Sequence, residues 1–228
     1  MVLDVLLDRR CPGCGRAHRA VCRACTARLE RHRWVGRPPA VATAGSAVPV
    51  TALFVYDELV ARLVLAAKNG GHRAVARCLG AWLGDALAHR ARAGGEPDLV
   101  TWVPASPVHL RRRPYDQGEV LARSVAGRLG IPARNLLRRR DHRTQANLAR
   151  PDRLRGPELI ARSGPGRSAR RKVRARSTGP PPGSARAPTR ILLVDDVATT
   201  GASLARAADA LTAAGWILTD AAVVAAAA

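Results

Sequence analysis

Aromatic residues are scarce in this chain: four Trp, two Tyr and one Phe among 228 residues. Few rings are therefore available for base stacking, and any contact with nucleic acid would have to be electrostatic and salt-sensitive. Lysine is nearly missing as well. Of 38 basic residues only Lys68 and Lys172 are lysines, and the rest are Arg. Against 17 acidic residues this leaves a formal charge of +21, a field that attracts phosphorylated ligands or nucleic acid. A composition rich in Arg, Ala and Gly also follows from GC-rich coding, so charge alone supports phosphate binding only weakly.

No stretch reaches the roughly 18 uninterrupted apolar residues of a membrane-spanning helix. The opening "MVLDVLLDRR" carries acids where a secretory signal would be positive, and no small-residue cleavage site follows it. A cytoplasmic protein is expected, and in that reducing compartment disulfides are a minor use of the five cysteines. Two nucleotide-binding loops are also missing. Neither lysine follows a glycine, so there is no G-x-x-x-x-G-K-[ST], and no G-x-G-x-x-G follows a strand pattern.

What is present begins with "CPGCGRAHRAVCRAC", two C-x-x-C pairs formed by Cys11, Cys14, Cys22 and Cys25 with seven residues between them. Each pair can offer two thiolates from one tight turn. Four thiolates complete tetrahedral zinc and leave no open position, which defines a structural site. The segment has too little apolar matter to fold unaided, and metal binding would supply the difference. Redox C-x-x-C motifs usually come singly beside a βαβ unit and not as a close tandem. His18 lies between the pairs as an alternative ligand or a solvated loop residue, and Cys78 falls in an apolar helical stretch as a small buried residue.

The chain then alternates strand and helix patterns. Residues 1–9 read as a short amphipathic helix, and Pro and Gly thicken over 36–49, which suggests a linker. Strand character over 50–56 precedes helical spacing over 57–68 and 73–92, interrupted by "NGGH". "DLVTWVP" (98–104) is a buried strand, 117–130 a helix closed by Gly130, "RILLVDD" (190–196) a strand, 203–215 a helix, and "WILTDAAVVA" (216–225) a last strand. Apolar strands alternating with helices imply a parallel sheet. Residues 163–189 break this rhythm. They are rich in Arg, Pro, Gly and Ser and too poor in apolar residues to order themselves, so they suggest a solvated insert or a basic flap over an anionic ligand.

Chemistry concentrates in "ILLVDDVATTGASL", residues 191–204. Parallel sheets bind ligands beyond the carboxyl ends of their strands, where Asp195 and Asp196 would emerge. Two carboxylates can accept the vicinal hydroxyls of a ribose. The segment Ala198, Thr199, Thr200, Gly201, Ala202 and Ser203 leads into a helix N-terminus, whose free N–H groups favour a phosphate. A capped strand end would explain one hydroxyl, but not two acids followed by a run of them.

This motif resembles the phosphoribosyl pyrophosphate signature of type I phosphoribosyltransferases. With the four-cysteine module, the whole chain is similar to the ComF family of phosphoribosyltransferase-like proteins. The likeness extends to "LFVYDELVARLVLAAKNGG" around Lys68, to "VPASPVHLRRRPYDQGEVLA" at Pro104, Arg113, Tyr115, Asp116 and Gln117, and to "TQANLARPDR" at Gln145, Leu148 and Arg153. Pro114 and Gly156 depart from the family pattern, which usually has Gly and Asn there. The resemblance implies an α/β type I phosphoribosyltransferase fold over 50–228, a central parallel sheet flanked by helices, preceded by a zinc-ribbon-like module over 1–35.

It further implies phosphoribosyl pyrophosphate with Mg²⁺ as ligand. Asp195 and Asp196 would hold the ribose and residues 198–203 the 5′-phosphate. The strand end at Pro104, Ala105 and Ser106 would face the pyrophosphate, with Arg113 and Lys68 or Arg143 neutralising leaving-group charge. Asp116 and Gln117 are candidates for orienting the acceptor. The alternative is a non-catalytic phosphoribosyl-binding partner in DNA uptake by competent bacteria, contacting a helicase or single-stranded DNA.

Overall fold

A computed structural model describes residues 10–18, 20–31, 33–36, 41–42, 47–69, 72–89, 95–112, 115–140, 157–162, 164 and 189–227. The expected helix over 1–9, Arg113, Pro114 and Arg143, and nearly all of 163–189 lie outside them. Four strands run parallel in the main sheet: β4 (Val50–Val55), β5 (Leu99–Trp102), β8 (Arg190–Ala198) and β9 (Ile217–Ala226). With β1 (Arg33–Gly36) added antiparallel at one edge, the order across the sheet is β1-β4-β9-β8-β5. Residues within each parallel strand alternate between two buried faces, which is why these strands read as unbroken apolar runs.

One face carries Phe54, Trp102, Leu192, Val194, Ala222 and Val224. It packs against α2 (Glu58–Asn69), α3 (Arg73–Ala88) and α5 (Gln117–Leu129). The other face carries Val50, Leu99, Ile191, Leu193 and Val223, and is covered by α6 (Ala202–Ala213) together with Trp216. α3 and α5 touch closely because α3 presents glycines to its neighbour. A Cβ on Gly80 would lie 2.7 Å from the Leu121 carbonyl oxygen, and one on Gly84 would lie 2.7 Å from Arg128 Cβ. A short helix α4 (Pro107–Arg112) follows β5, and β6 (Leu137–Arg139) pairs antiparallel with β7 (Leu159–Ala161). No helix among the described residues is long and apolar enough to cross a membrane.

Two boundaries differ from the sequence expectation. The 36–49 segment holds a small antiparallel pair, β2 (Val41–Ala42) with β3 (Ala47–Val48), and β1 draws residues 33–36 into the main sheet. The cysteine module is likewise no separate appendage. Cys11, Val21, Cys22, Cys25 and Leu29, the last two on α1 (Arg23–Arg31), share one apolar cluster with Leu53, Phe54 and Leu59. A segment with so few apolar residues borrows the core of the domain beside it.

Candidate metal centre and candidate ligand site

The first cluster is built by two turns. Cys11 opens a tight turn in which its carbonyl accepts from the Cys14 and Gly15 amides at 3.2 and 2.8 Å, with Gly15 at φ +76°. Cys22 lies just before α1 and Cys25 in its first turn, so both sulfurs sit at a helix N-terminus that favours thiolate. The four sulfurs lie within 4.8 Å of one another, with Cys14 and Cys22 at 3.5 Å. Tetrahedral coordination at about 2.3 Å requires sulfur separations of about 3.8 Å, so this set can hold a metal ion such as zinc.

Backbone N–H groups tune the thiols. The Cys22 amide donates to Cys11 Sγ at 3.4 Å, and the Cys25 amide is the main cause that lowers the Cys22 pKa. Burial and the neighbouring thiols push Cys25 upward, a cost that a cation would relieve. Gly13 is required by space, since a Cβ there would lie 2.7 Å from Cys25 Sγ and 2.9 Å from Leu59 Cδ1. His18 is not in the cluster, and its Nδ1 accepts from the Ala20 amide at 3.1 Å. Cys78 is half-buried on α3 and faces the Val21 amide, its pKa raised by burial.

The second cluster lies at the carboxyl end of the parallel sheet. β8 does not stop at the aspartates. It continues through Asp195 and Asp196 to Ala198, held by pairing with β9 up to Ala198↔Ala226. Each aspartate binds the next amide in the chain: Asp195 Oδ1 accepts from Asp196 N at 2.9 Å, and Asp196 Oδ1 from Val197 N at 2.8 Å. The second Asp196 oxygen meets Lys68 Nζ at 2.9 Å. Lys68 stands at the end of α2, a turn fixed in place by the Tyr115 hydroxyl, which donates to the Ala67 carbonyl.

Among the described residues Asp195 forms no ion pair. Burial first, and then the Asp196 charge, push its carboxyl up to about 8. The Asp196 amide and Lys68 oppose that shift, and Asp116 adds to it. Asp116 is raised by burial in turn. It caps α5, taking the Gly118 amide at 2.9 Å and the Ala105 amide at 3.2 Å. The Ala105 N–H expected to face a pyrophosphate is therefore engaged by Asp116.

The register Trp102↔Val194 and the bond from Val103 N to Val194 O set Pro104, Ala105 and Ser106 beside the aspartates. Pro104 and Ser106 are buried, and Ser106 Oγ accepts from the His109 amide at 3.3 Å. After Ala198 only Thr199, Thr200 and Gly201 separate the strand from α6, a shorter connection than the motif suggested. Both threonines are exposed, Gly201 adopts φ +72°, and Thr200 Oγ1 accepts from Ala202 N at 3.4 Å. Ser203 is half-buried in the first turn, where helix N–H groups lack intrahelical partners.

The predicted residues thus gather along one edge: Lys68 on Asp196, Asp116 on Ala105, and 104–106 beside Asp195 and Asp196. Gln117 is 5% exposed, and neither polar atom of its side-chain amide has a partner among the described residues. Gly118 and Trp102 were not anticipated. A Cβ on Gly118 would lie 2.9 Å from the Val103 carbonyl oxygen and 3.0 Å from Trp102 Cδ1, so glycine lets α5 begin against the end of β5. The Trp102 indole N–H faces Asp116 without reaching hydrogen-bond geometry. The pair Asp-x-Gly at a predicted helix start was the available signal for this contact.

No protein-family model matches this chain, and no curated protein sequence matches it. What the fold and the two clusters define is a class: an α/β protein whose four-stranded parallel sheet is flanked by helices, with a four-cysteine cluster near its N-terminus.

Proposed function

We propose that this protein binds phosphoribosyl pyrophosphate with Mg²⁺ and transfers the phosphoribosyl group, as the ComF-like motifs imply. The observation that carries the reading is the continuous path from Asp195 and Asp196 through Thr199, Thr200 and Gly201 into the N-terminus of α6, with 104–106 alongside. Ribose hydroxyls would meet the aspartates and the 5′-phosphate the α6 N-terminus. In the reaction the bond from C1 to pyrophosphate breaks and a bond from C1 to an acceptor nitrogen forms. An oxocarbenium-like centre at C1 calls for positioning and charge stabilisation, and the carboxylates and Lys68 would supply both. A divalent cation arriving with the ligand would offset the repulsion that raises Asp195. The phosphoribosyltransferase fold itself and a structural zinc in the cysteine cluster belong to the same proposal.

The test is pyrophosphate release from phosphoribosyl pyrophosphate and Mg²⁺ across a panel of nucleobases and amines. Acceptor-dependent release supports transfer. Ligand binding without turnover on any acceptor would leave a phosphoribosyl-binding protein and remove the enzyme.

A further inference from the structure

Away from both clusters, the outer surfaces of α3 and α5 enclose an open groove of ≈ 600 Å³ whose walls carry Arg73, Arg77, Arg123 and Arg128. That volume lies within the range of small-molecule sites. None of the described residues lining the groove is acidic or aromatic. Arg123 and Arg128 have partners outside it, Glu119 at 2.8 Å and Asp85 at 3.4 Å. Both pairs are solvent-exposed, so their guanidiniums exchange partners at little cost.

Arg73 and Arg77 are exposed, and neither forms an ion pair among the described residues. Their placement is also unfavourable. Arg73 opens α3, whose first turn holds no acid and whose capping residue His72 makes no side-chain cap bond. Cations at a helix N-terminus oppose the helix dipole. The α5 side leaves room too, because a Cβ on Gly127 would meet nothing within 4 Å.

We propose that this groove is a second anion site that takes the polyphosphate chain of a small molecule, such as a nucleoside triphosphate. Guanidinium forks match phosphate oxygens in pairs. The wall from Arg73 to Ala81 rises about 12 Å at 1.5 Å per residue, which suits several linked phosphates better than one. Without an aromatic wall the groove has no platform for stacked bases, so it reads the phosphates of a short ligand and not a nucleic-acid strand. It shares no residue with the proposed donor site and stands or falls separately from it.

Inorganic tripolyphosphate is the probe, titrated calorimetrically at low salt into the full chain and two variants. Arg73→Glu/Arg77→Glu should weaken binding at least about tenfold, as expected for lost charge-assisted bonds. Gly127→Leu should weaken it similarly by filling the open space beside Gly127 with no change of charge, while its melting temperature holds or rises because leucine favours a helix over glycine. Binding of phosphoribosyl pyrophosphate should survive in both variants. Failure of that donor to bind the wild type would overturn the function proposed above and leave the groove supported. The groove is refuted if wild type does not bind tripolyphosphate, if neither variant changes it, or if charge reversal alone matters. A single-stranded oligonucleotide held by the same arginines, with tripolyphosphate ignored, would likewise overturn it.

Discussion

Both clusters crowd like groups together, yet they solve the crowding differently. The four cysteine sulfurs converge within 4.8 Å on a common centre. The three aspartates at the carboxyl end of the sheet form no such convergent set among the described residues. Their oxygens are shared among the amides of Ala105, Gly118, Asp196 and Val197 and the Lys68 ammonium. A convergent set of soft donors is a cage for one ion. A row of carboxylates held by backbone amides and a lysine divides its oxygens among separate partners and gathers on no common centre. The first arrangement suits one metal ion, and the second underlies the binding role proposed above.

Breaking the cage should cost most. Cys22→Ser, or removal of the metal by a chelator, should lower the melting temperature by about 10 °C, equivalent to ~3 kcal/mol or more for a chain of this size. The loss reaches the main domain because Cys22 and Cys25 share a core with Leu53 and Phe54. A thermal scan on metal-loaded and chelated protein checks it, and equal midpoints would separate the module from domain stability. Gly13→Ala is the finer probe. Its Cβ would press on Cys25 Sγ and Leu59 together, for a cost of about 1–3 kcal/mol and a lower metal content by elemental analysis.

At the carboxyl end of the sheet the expected effects are smaller and depend on pH. Asp195 keeps its proton up to about pH 8 in the folded chain and releases it near 3.8 when unfolded. Over that window the unfolded state binds fewer protons, so the Asp195 contribution lowers stability progressively as pH rises from about 4 to about 8. Asp195→Asn removes the effect. Its melting temperature should exceed wild type by a margin that grows from pH 5 to pH 8, and a constant margin would contradict the pKa assignment. Asp116→Ala should cost about 1–2 kcal/mol through the lost α5 cap, measurable by urea unfolding.

The main architecture was legible in the sequence because strands covered on both faces are apolar throughout, as in "RILLV" and "DLVTWV". The helix starts followed closely from spacing, and α5 closes at Gly130, which adopts φ +68°, whereas α3 ends at Ala88, short of the expected residue 92. The end of β8 was not legible. Two aspartates resemble a strand terminus, and only pairing with Ala225 and Ala226 on β9 carries the strand past them. The union of the cysteine module with the core was hidden for a similar reason, since contacts such as Leu29 with Leu53 leave no local pattern. Four cysteines at fixed spacing were legible because their chemistry is local. The arginine groove was not, because its walls come from two helices far apart in the chain, α3 and α5.

The proposed function requires that Asp195 and Asp196 hold a ligand at the carboxyl end of the sheet. The most direct measurement is calorimetric titration of phosphoribosyl pyrophosphate with Mg²⁺ into wild type and Asp196→Asn. The prediction is saturable binding to wild type and a loss of about tenfold or more in the variant, at an unchanged metal content of the cysteine cluster. Equal affinity in the two proteins, or no binding to wild type, would contradict it.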